Sequence, residues 1–256
     1  MGKMEERSFQ VPNLERGLQI LDYMAGCEEE TSISNLARAL GFPPNSVMRI
    51  MNALEHYGYL HRNPETKGYL LSNKMVTMAA SRPSQKNLME QSLDIMRKLR
   101  DKTGETVVIS VIDQDEGLVL EQVQGLHSFR FVCDPGTRQA IHASASTKAI
   151  LAFMDPVERD ALLNRIEFPA LTTTTITTLQ AFVVDLAMVA EKGYALDRAE
   201  TLDGVHCVGA PVFDANSQPI AAITITGPSY RLKAEDLNQA GEIVREYTSI
   251  ISSRFS

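Results

Sequence analysis

Between residues 32 and 71 the apolar positions change period twice, and the changes predict a short helix, a turn, a second helix and a hairpin. Leu36, Ala37 and Leu40 recur at helical spacing behind Ser34, which suits an N-cap, while Ile33 just ahead of it suits a hydrophobic staple and Gly41 ends the run. Pro43 and Pro44 fit only the first turn of a helix. The next stripe, Val47, Ile50, Met51 and Leu54, again follows i, i+3, i+4, i+7 and faces a core. Gly58 stops that helix, and Tyr59 to His61 against Tyr69 to Leu71 predict two short strands around Asn63, Pro64 and Gly68. Upstream, Leu14 to Met24 with Asn13 before it predicts a further helix, its core side carrying Leu14, Leu18, Leu21 and Met24.

This order of elements is that of a winged helix-turn-helix, so DNA is the first partner to consider. The stripe of the second helix leaves Asn45, Ser46, Met48, Arg49 and Asn52 outside, short hydrogen-bonding groups and a guanidinium of the kind that reads base edges and phosphates in a major groove. Met48 alternatively covers the helical core. Arg62 and Lys67 fall near the tip of the hairpin, where phosphate contacts add affinity without sequence information. Charge weighs against a strong electrostatic footprint, because residues 1–80 hold eight basic and nine acidic side chains. Glu28 to Glu30 are assigned to the loop before the first turn helix, and weak nonspecific affinity follows from the few phosphates neutralised.

Beyond the segment 81–86, SRPSQK, the pattern changes. Met75, Val76, Met78 and Ala79 predict a linker helix interrupted near Pro83. Helices are predicted over 88–101, 144–154, 156–165, 178–192 and 234–252, and strands over 106–112, 118–124, 129–133, 194–197, 205–213 and 220–226. Asp155 ahead of Pro156 is an acidic cap, and Thr177 with Gln180 reads as a capping box. The fold class is α+β, with a mixed or antiparallel sheet in the second part. The division is a winged helix-turn-helix at 1–71, a linker helix at 72–83 and an α/β domain at 84–256.

With 256 residues, 44% hydrophobic composition and net charge −7, the chain has room for two ordinary domains. It contains no apolar run of membrane length, and MGKMEERSFQ lacks the apolar stretch of an export signal. Cys27, Cys133 and Cys207 are odd in number and far apart, which disfavours a disulfide framework or a cysteine zinc site and suits a cytoplasmic protein. The rival readings are a hydrolase-like enzyme and a small-molecule-binding sensor, each acting without DNA. Acyl transfer has only Cys207, His206, His142 and Asp197 to draw on, and adjacent strand residues His206 and Cys207 point to opposite faces. No GxSxG, phosphate-binding loop, dinucleotide fingerprint or HExxH motif occurs, and no histidines pair at i, i+4. No catalytic residue, metal or cofactor is assigned.

Several motifs in a shared order make the chain resemble the IclR family of bacterial transcriptional regulators from about residue 11 to the end. They are LERGLQIL at 14–21, the run 32–60, TGETV at 103–107, HASASTKAILAF at 142–153, LTTTTIT at 171–177, KGYALDRAE at 192–200, GVHCVGAPVFD at 204–214 and TITGPSYRL at 224–232. The resemblance implies a dimerising linker helix and a GAF-like effector domain. It also implies a pseudo-palindromic double-stranded operator and a homodimer or dimer of dimers, acting as repressor or activator. Its pattern carries effector roles onto Phe131, Gln139, Ala145, Ser146, Thr147, Asp197, Cys207, Thr224 and Thr226. A helix start near Ser144 suits an anion, so small organic acids lead as effectors. The chain departs from the family at Thr147, where glycine is usual, and at Thr224 and Thr226, where serines are common; both changes shrink the site, and the Thr147 hydroxyl or methyl narrows it or adds a donor. Duller roles exist for each group: His142 as a structural histidine bonded to backbone, Cys207 as a small hydrophobe, Asp197 as a turn acid, the two threonines as ordinary strand residues and Lys148 as a solvated helix residue.

Overall fold

The computed structural model describes residues 11–27, 29–75, 78 and 83–255. The chain divides into two compact units between Lys86 and Asn87. In the first, α1 (Pro12–Ala25), α2 (Ile33–Leu40) and α3 (Pro44–His56) precede a hairpin of β1 (Leu60–Arg62) and β2 (Tyr69–Leu71). The strands pair antiparallel with Leu60 opposite Leu71. Ile20, Met24, Leu36, Val47, Met51, Leu60 and Tyr69 form the core of this unit.

Three details differ from the sequence expectation. The cap of α2 is Ser32, whose hydroxyl accepts from the Asn35 amide at 3.2 Å, and Ser34 lies inside the helix. The reason is upstream: Thr31 exchanges both backbone bonds with Tyr69 (3.0 and 2.8 Å), so the extended chain ends at Ser32 and the helix starts at once. Ile33 is therefore the first helical residue, still packed on the core. In α1 the inward residues are Gly17, Ile20 and Met24, while Leu14 and Leu18 are 58% and 53% exposed. Gly17 faces α3, where a Cβ would meet Ile50 at 3.6 Å, an ordinary van der Waals distance. Val11 takes the cap position in place of Asn13, and its amide donates to the Glu15 carboxylate. Of the linker residues, Lys74, Met75 and Met78 are helical, and Val76 and Ala79 lie outside the described residues.

The second unit opens with α4 (Pro83–Thr103) and the hairpin of β3 (Thr106–Asp113) and β4 (Glu116–Val123). Then come β5 (Arg138–Gln139), α5 (Ala145–Leu151), α6 (Pro156–Leu163), α7 (Leu179–Lys192), β6 (Ala195–Arg198), β7 (Val205–Phe213) and β8 (Pro219–Pro228). A short 3-10 turn (Ala234–Asp236) leads into α8 (Leu237–Ser252). The six strands form one antiparallel sheet in the order β5-β4-β3-β8-β7-β6. Alternation assigns its faces: Val107, Ile109, Val208, Ala210, Ile223 and Ile225 pack with Leu99 of α4 and Val244 of α8. The opposite face carries α5, whose Ala145 and Ala149 pack with Ala195 and Ala222.

Residues 129–133, expected as a strand, are irregular chain, because side chains satisfy their backbone: Thr106 Oγ1 donates to the Phe131 carbonyl and the Cys133 amide donates to Gln122 Oε1. Helix α7 is capped by Thr178, which accepts from the Ala181 amide at 3.3 Å, one residue later than the capping box predicted. Asp155 caps α6 as expected, accepting from Val157 and Glu158. Among the described residues no helix is long and apolar enough to cross a membrane.

Candidate DNA interface and effector site

Packing Val47, Ile50 and Met51 inward turns Asn45, Met48, Arg49 and Asn52 of α3 to the surface. Met48 is 43% exposed, so it belongs to the outer face and covers no core. Ser46 is half-buried and accepts from Arg16 Nη1 at 3.1 Å, with the Arg16 guanidinium 5.6 Å over the Phe42 ring. Its role is thus to fix α3 against α1.

At the hairpin, Arg62 stands over the Tyr69 ring at 5.4 Å and Lys67 takes a left-handed φ of 60° at the tip. The Lys67 ammonium donates to the Pro64 carbonyl at 2.6 Å, so part of its reach is spent inside the turn. Glu30, read from sequence as a loop acid, braces this turn. Its carboxylate accepts from Asn63 Nδ2 at 2.6 Å and from the Thr66 hydroxyl, and these bonds hold its carboxyl below the ordinary value. Gly68 leaves the room, since a Cβ there would fall 2.6 Å from Glu30 Oε2. The signal available in sequence was the Asn63-to-Gly68 turn itself, whose closure around Asn63 Oδ1 leaves Nδ2 to donate to a partner.

In the second unit the register lines up the expected effector residues on the α5 side of the sheet. Asp197 pairs with Cys207, Cys207 with Thr226, Thr226 with Thr106, and Gly209 with Thr224. Gly209 lets the start of α5 approach, because a Cβ there would lie 2.8 Å from Thr224 Oγ1 and 2.9 Å from the Ala145 carbonyl. Ser146 Oγ donates to Gln139 Oε1 and shares a bond with Ser144 Oγ, both at 2.7 Å. Thr224 Oγ1 is buried without a hydrogen-bond partner among the described residues. Half-buried Phe131, Gln139, Cys207 and Thr226 border the same region.

Asp197 is 1% exposed, and burial pushes its carboxyl up, opposed by hydrogen bonds from Thr201 and Glu200. Its Oδ1 accepts from the Glu200 amide at 2.7 Å and the Thr201 amide at 3.3 Å, so it is a turn acid. Burial, and secondarily the Asp197 charge, push the Cys207 thiol well up, which disarms it as a nucleophile. His206 faces away and meets the Leu232 carbonyl at 2.7 Å. His142 is structural: its Nε2 meets the Pro169 carbonyl at 2.9 Å, its ring packs edge-on to Phe168, and burial lowers its pKa.

Thr147 is fully buried, and its polar and apolar ends are both occupied within the fold. Its hydroxyl faces the carbonyls of Ile141 (2.8 Å) and Ser144 (2.9 Å), and its methyl fills the space that a Cβ on Gly117 would need. Lys148 corrects the expectation of a solvated residue: it is fully buried. Its Nζ lies 2.6 Å from Glu200 Oε2, 3.1 Å from Asp185 Oδ2 and 3.3 Å from the Leu196 carbonyl. Every residue of α5 is buried between the sheet and neighbouring chain, so the helix has no polar face for a lysine to occupy. Burial raises the Glu200 carboxyl while Lys148 pulls the other way.

Residues 13–64 match the IclR helix-turn-helix domain, and residues 81–253 match the C-terminal domain of bacterial IclR transcriptional regulators. The transcriptional regulator BhcR of Paracoccus denitrificans is 30% identical over 94% of this chain and 86% of its own length. The transcriptional repressor IclR of Escherichia coli is 30% identical over 92% of this chain and 86% of its own. Among solved structures, the Thermotoga maritima IclR superposes with a TM-score of 0.77 at 27% identity, covering 96% of this chain and 99% of that one. An IclR homolog of Microbacterium hydrocarbonoxydans, complexed with 4-hydroxybenzoate, also gives 0.77 at 21% identity, covering 95% and 98%. The helix-turn-helix unit, the antiparallel sheet unit and these matches over both converge on one assignment: the chain belongs to the IclR family of transcriptional regulators, which act by binding DNA and small-molecule effectors and are not enzymes.

Proposed function

We propose that the outer face of α3, Asn45, Met48, Arg49 and Asn52, reads a pseudo-palindromic operator, with Ser46 positioning the helix and Arg62 and Lys67 touching phosphate from the wing. Two or four copies of the chain present paired recognition helices to successive major grooves. The working division is residues 1–71 for DNA, 72–83 for the linker and 84–256 for the effector, in a cytoplasmic protein. The relatives named as repressors support repression as the output.

The effector is a small organic acid held by Ala145, Ser146, Gln139, Asp197, Cys207, Thr224, Thr226 and Phe131, with Thr147 limiting its size. The observation that carries this reading is the buried, unpartnered Thr224 hydroxyl beside the start of α5, a polar group whose burial costs about 1–3 kcal/mol unless something bonds it. Binding of an aromatic carboxylate by the Microbacterium hydrocarbonoxydans homolog supports the acid class. Coupling between effector and operator in such a regulator is about 1–3 kcal/mol, or roughly 5- to 150-fold in affinity.

The test is selection of bound fragments from genomic DNA with the full chain, followed by titration of a panel of small carboxylic acids, 4-hydroxybenzoate included, against the selected sequence. A shared inverted repeat is expected, with an acid that shifts affinity for the wild type and not for Thr226→Val. The absence of any enriched sequence refutes the DNA half; an acid response that survives Thr226→Val removes that residue from the site.

A further inference from the structure

The motifs at 103–107 and 224–232 meet in a pair that contacts neither proposed ligand. Glu105 is 4% exposed, and its two carboxylate oxygens accept from Arg231 Nε at 2.6 Å and Nη2 at 2.8 Å. The chain makes room for it: a Cβ on Gly227 would lie 2.7 Å from the Glu105 carboxyl carbon. The same Nη2 also donates to the Phe129 carbonyl at 3.1 Å. Thr106, next in sequence, grips the same stretch of chain, its hydroxyl accepting from the Gly125 amide at 3.0 Å and donating to the Phe131 carbonyl at 2.6 Å. The Leu126 amide donates to the Gly104 carbonyl at 2.9 Å, and the Cys133 amide to Gln122 Oε1 at 3.0 Å. Residues 125–133 are thus a strap tied down point by point, without a strand ladder, and most of its ties end on side chains.

We infer that Glu105 and Arg231 are a latch for this strap: positioning residues that, through the Phe129 carbonyl, hold residues 125–133 over the sheet at Thr106 and set where Phe131 and Cys133 stand beside Cys207 and Thr226. The register places the strap there, because Thr106 is the cross-strand neighbour of Thr226 and Thr226 of Cys207. Bidentate arginine–carboxylate geometry suits a latch, since it fixes the direction of the guanidinium and with it the spare N–H that reaches the strap. A lysine in its place keeps the charge and loses that fork. The importance of the latch for regulation rests on the reading of this face as the effector site.

The test is hydrogen exchange of the full chain, followed by mass spectrometry, for the wild type, Arg231→Lys and Thr106→Val. Peptides spanning 124–134 are expected to exchange about tenfold faster or more in both variants, with peptides from β3 and β8 unchanged. Labelling of Cys207 by methyl methanethiosulfonate, a small uncharged reagent, rises in parallel. Unchanged exchange over 124–134 in Arg231→Lys overturns the latch, and so does a rise shared equally by β3 and β8, which makes the pair a brace for the sheet alone. Should Arg231→Lys not fold, the isosteric Glu105→Gln carries the same two expectations. Neither readout uses an effector or DNA, so an acid panel without a response leaves the latch standing, and a failed latch leaves the effector reading standing.

Discussion

Replacing Lys148 by methionine tests whether the ionic group that pins α5 is balanced as the geometry says. The substitution keeps the volume and removes an ammonium that is fully buried between Glu200 and Asp185. Breaking a buried pair in this way costs about 3–5 kcal/mol, mostly the penalty of the carboxylates left behind. Against a total stability of about 5–15 kcal/mol, that is a large share. A domain of this size moves by about 2–4 °C per kcal/mol, so thermal unfolding is expected to fall by about 6–20 °C at neutral pH. The deficit has a pH signature. Glu200 already titrates above its ordinary value because of burial, and Lys148 opposes that rise. A carboxyl raised in the folded state penalises folding above its folded pKa, and the penalty vanishes below the unfolded value. Without Lys148 the rise is larger, so the deficit of the variant is widest at neutral pH and narrows as the pH falls toward the ordinary carboxyl range. Adding Glu200→Gln to Lys148→Met recovers part of the loss, because one stranded charge is gone. Thermal scans of the three proteins at neutral pH and near pH 5 decide it. A loss under about 1 kcal/mol, or a deficit flat with pH, refutes the buried ion group and implies that the carboxylates are hydrated.

The remaining expectations are more local. Arg49→Ala weakens operator binding by about 1–3 kcal/mol in fluorescence anisotropy while leaving the melting temperature in place; equal affinity moves recognition off that residue. Ser32→Ala destabilises the first unit by about 1 kcal/mol and Ser34→Ala hardly at all, a contrast measurable by hydrogen exchange in α2 and reversed if Ser34 is the cap. Gly117→Ala forces a methyl against Thr147 and costs about 1–3 kcal/mol in chemical denaturation, with Thr147→Ser in the same chain relieving part of it; an additive pair means the two groups do not touch.

What the sequence made legible was whatever local chemistry decides. Proline and glycine bracketed α3, periodicity found its buried stripe, and the resemblance pointed to Cys207, Thr224 and Thr226, which the strand register places on one face of the sheet. The misses share a cause in tertiary packing. Ser34 suits a cap by its spacing, but the Thr31 backbone is committed to Tyr69, so the helix starts earlier, behind Ser32. Leu14 and Leu18 have the hydrophobicity of core residues, yet α1 buries the side that carries Gly17, Ile20 and Met24. Residues 129–133 have the composition of a strand, and their backbone is bound by Thr106 and Gln122 instead of a neighbouring strand. Lys148 was the hardest to read, since nothing local announces that Asp185 and Glu200, from a helix and a turn far along the chain, will surround it.

These packing details bear on how an effector's modest energy is transmitted. Helix α5 is buried on all sides, seated on Gly209 and Gly117, and pinned by Lys148, so sliding it would disrupt a group whose loss costs about 3–5 kcal/mol. A ligand offering about 1–3 kcal/mol of coupling cannot drive that motion. The strap at 125–133 is different, because each tie is a single hydrogen bond with a net value of about 0.5–1.5 kcal/mol, rising to about 1.5–3 where the Arg231 charge takes part. Release of one tie, though not of the whole strap at once, therefore lies within about 1–3 kcal/mol of coupling. If the proposed face is the effector site, single ties of the strap are therefore easier for a ligand to shift than the seat of α5, and Thr106 and Arg231 are the residues to vary when retuning the response.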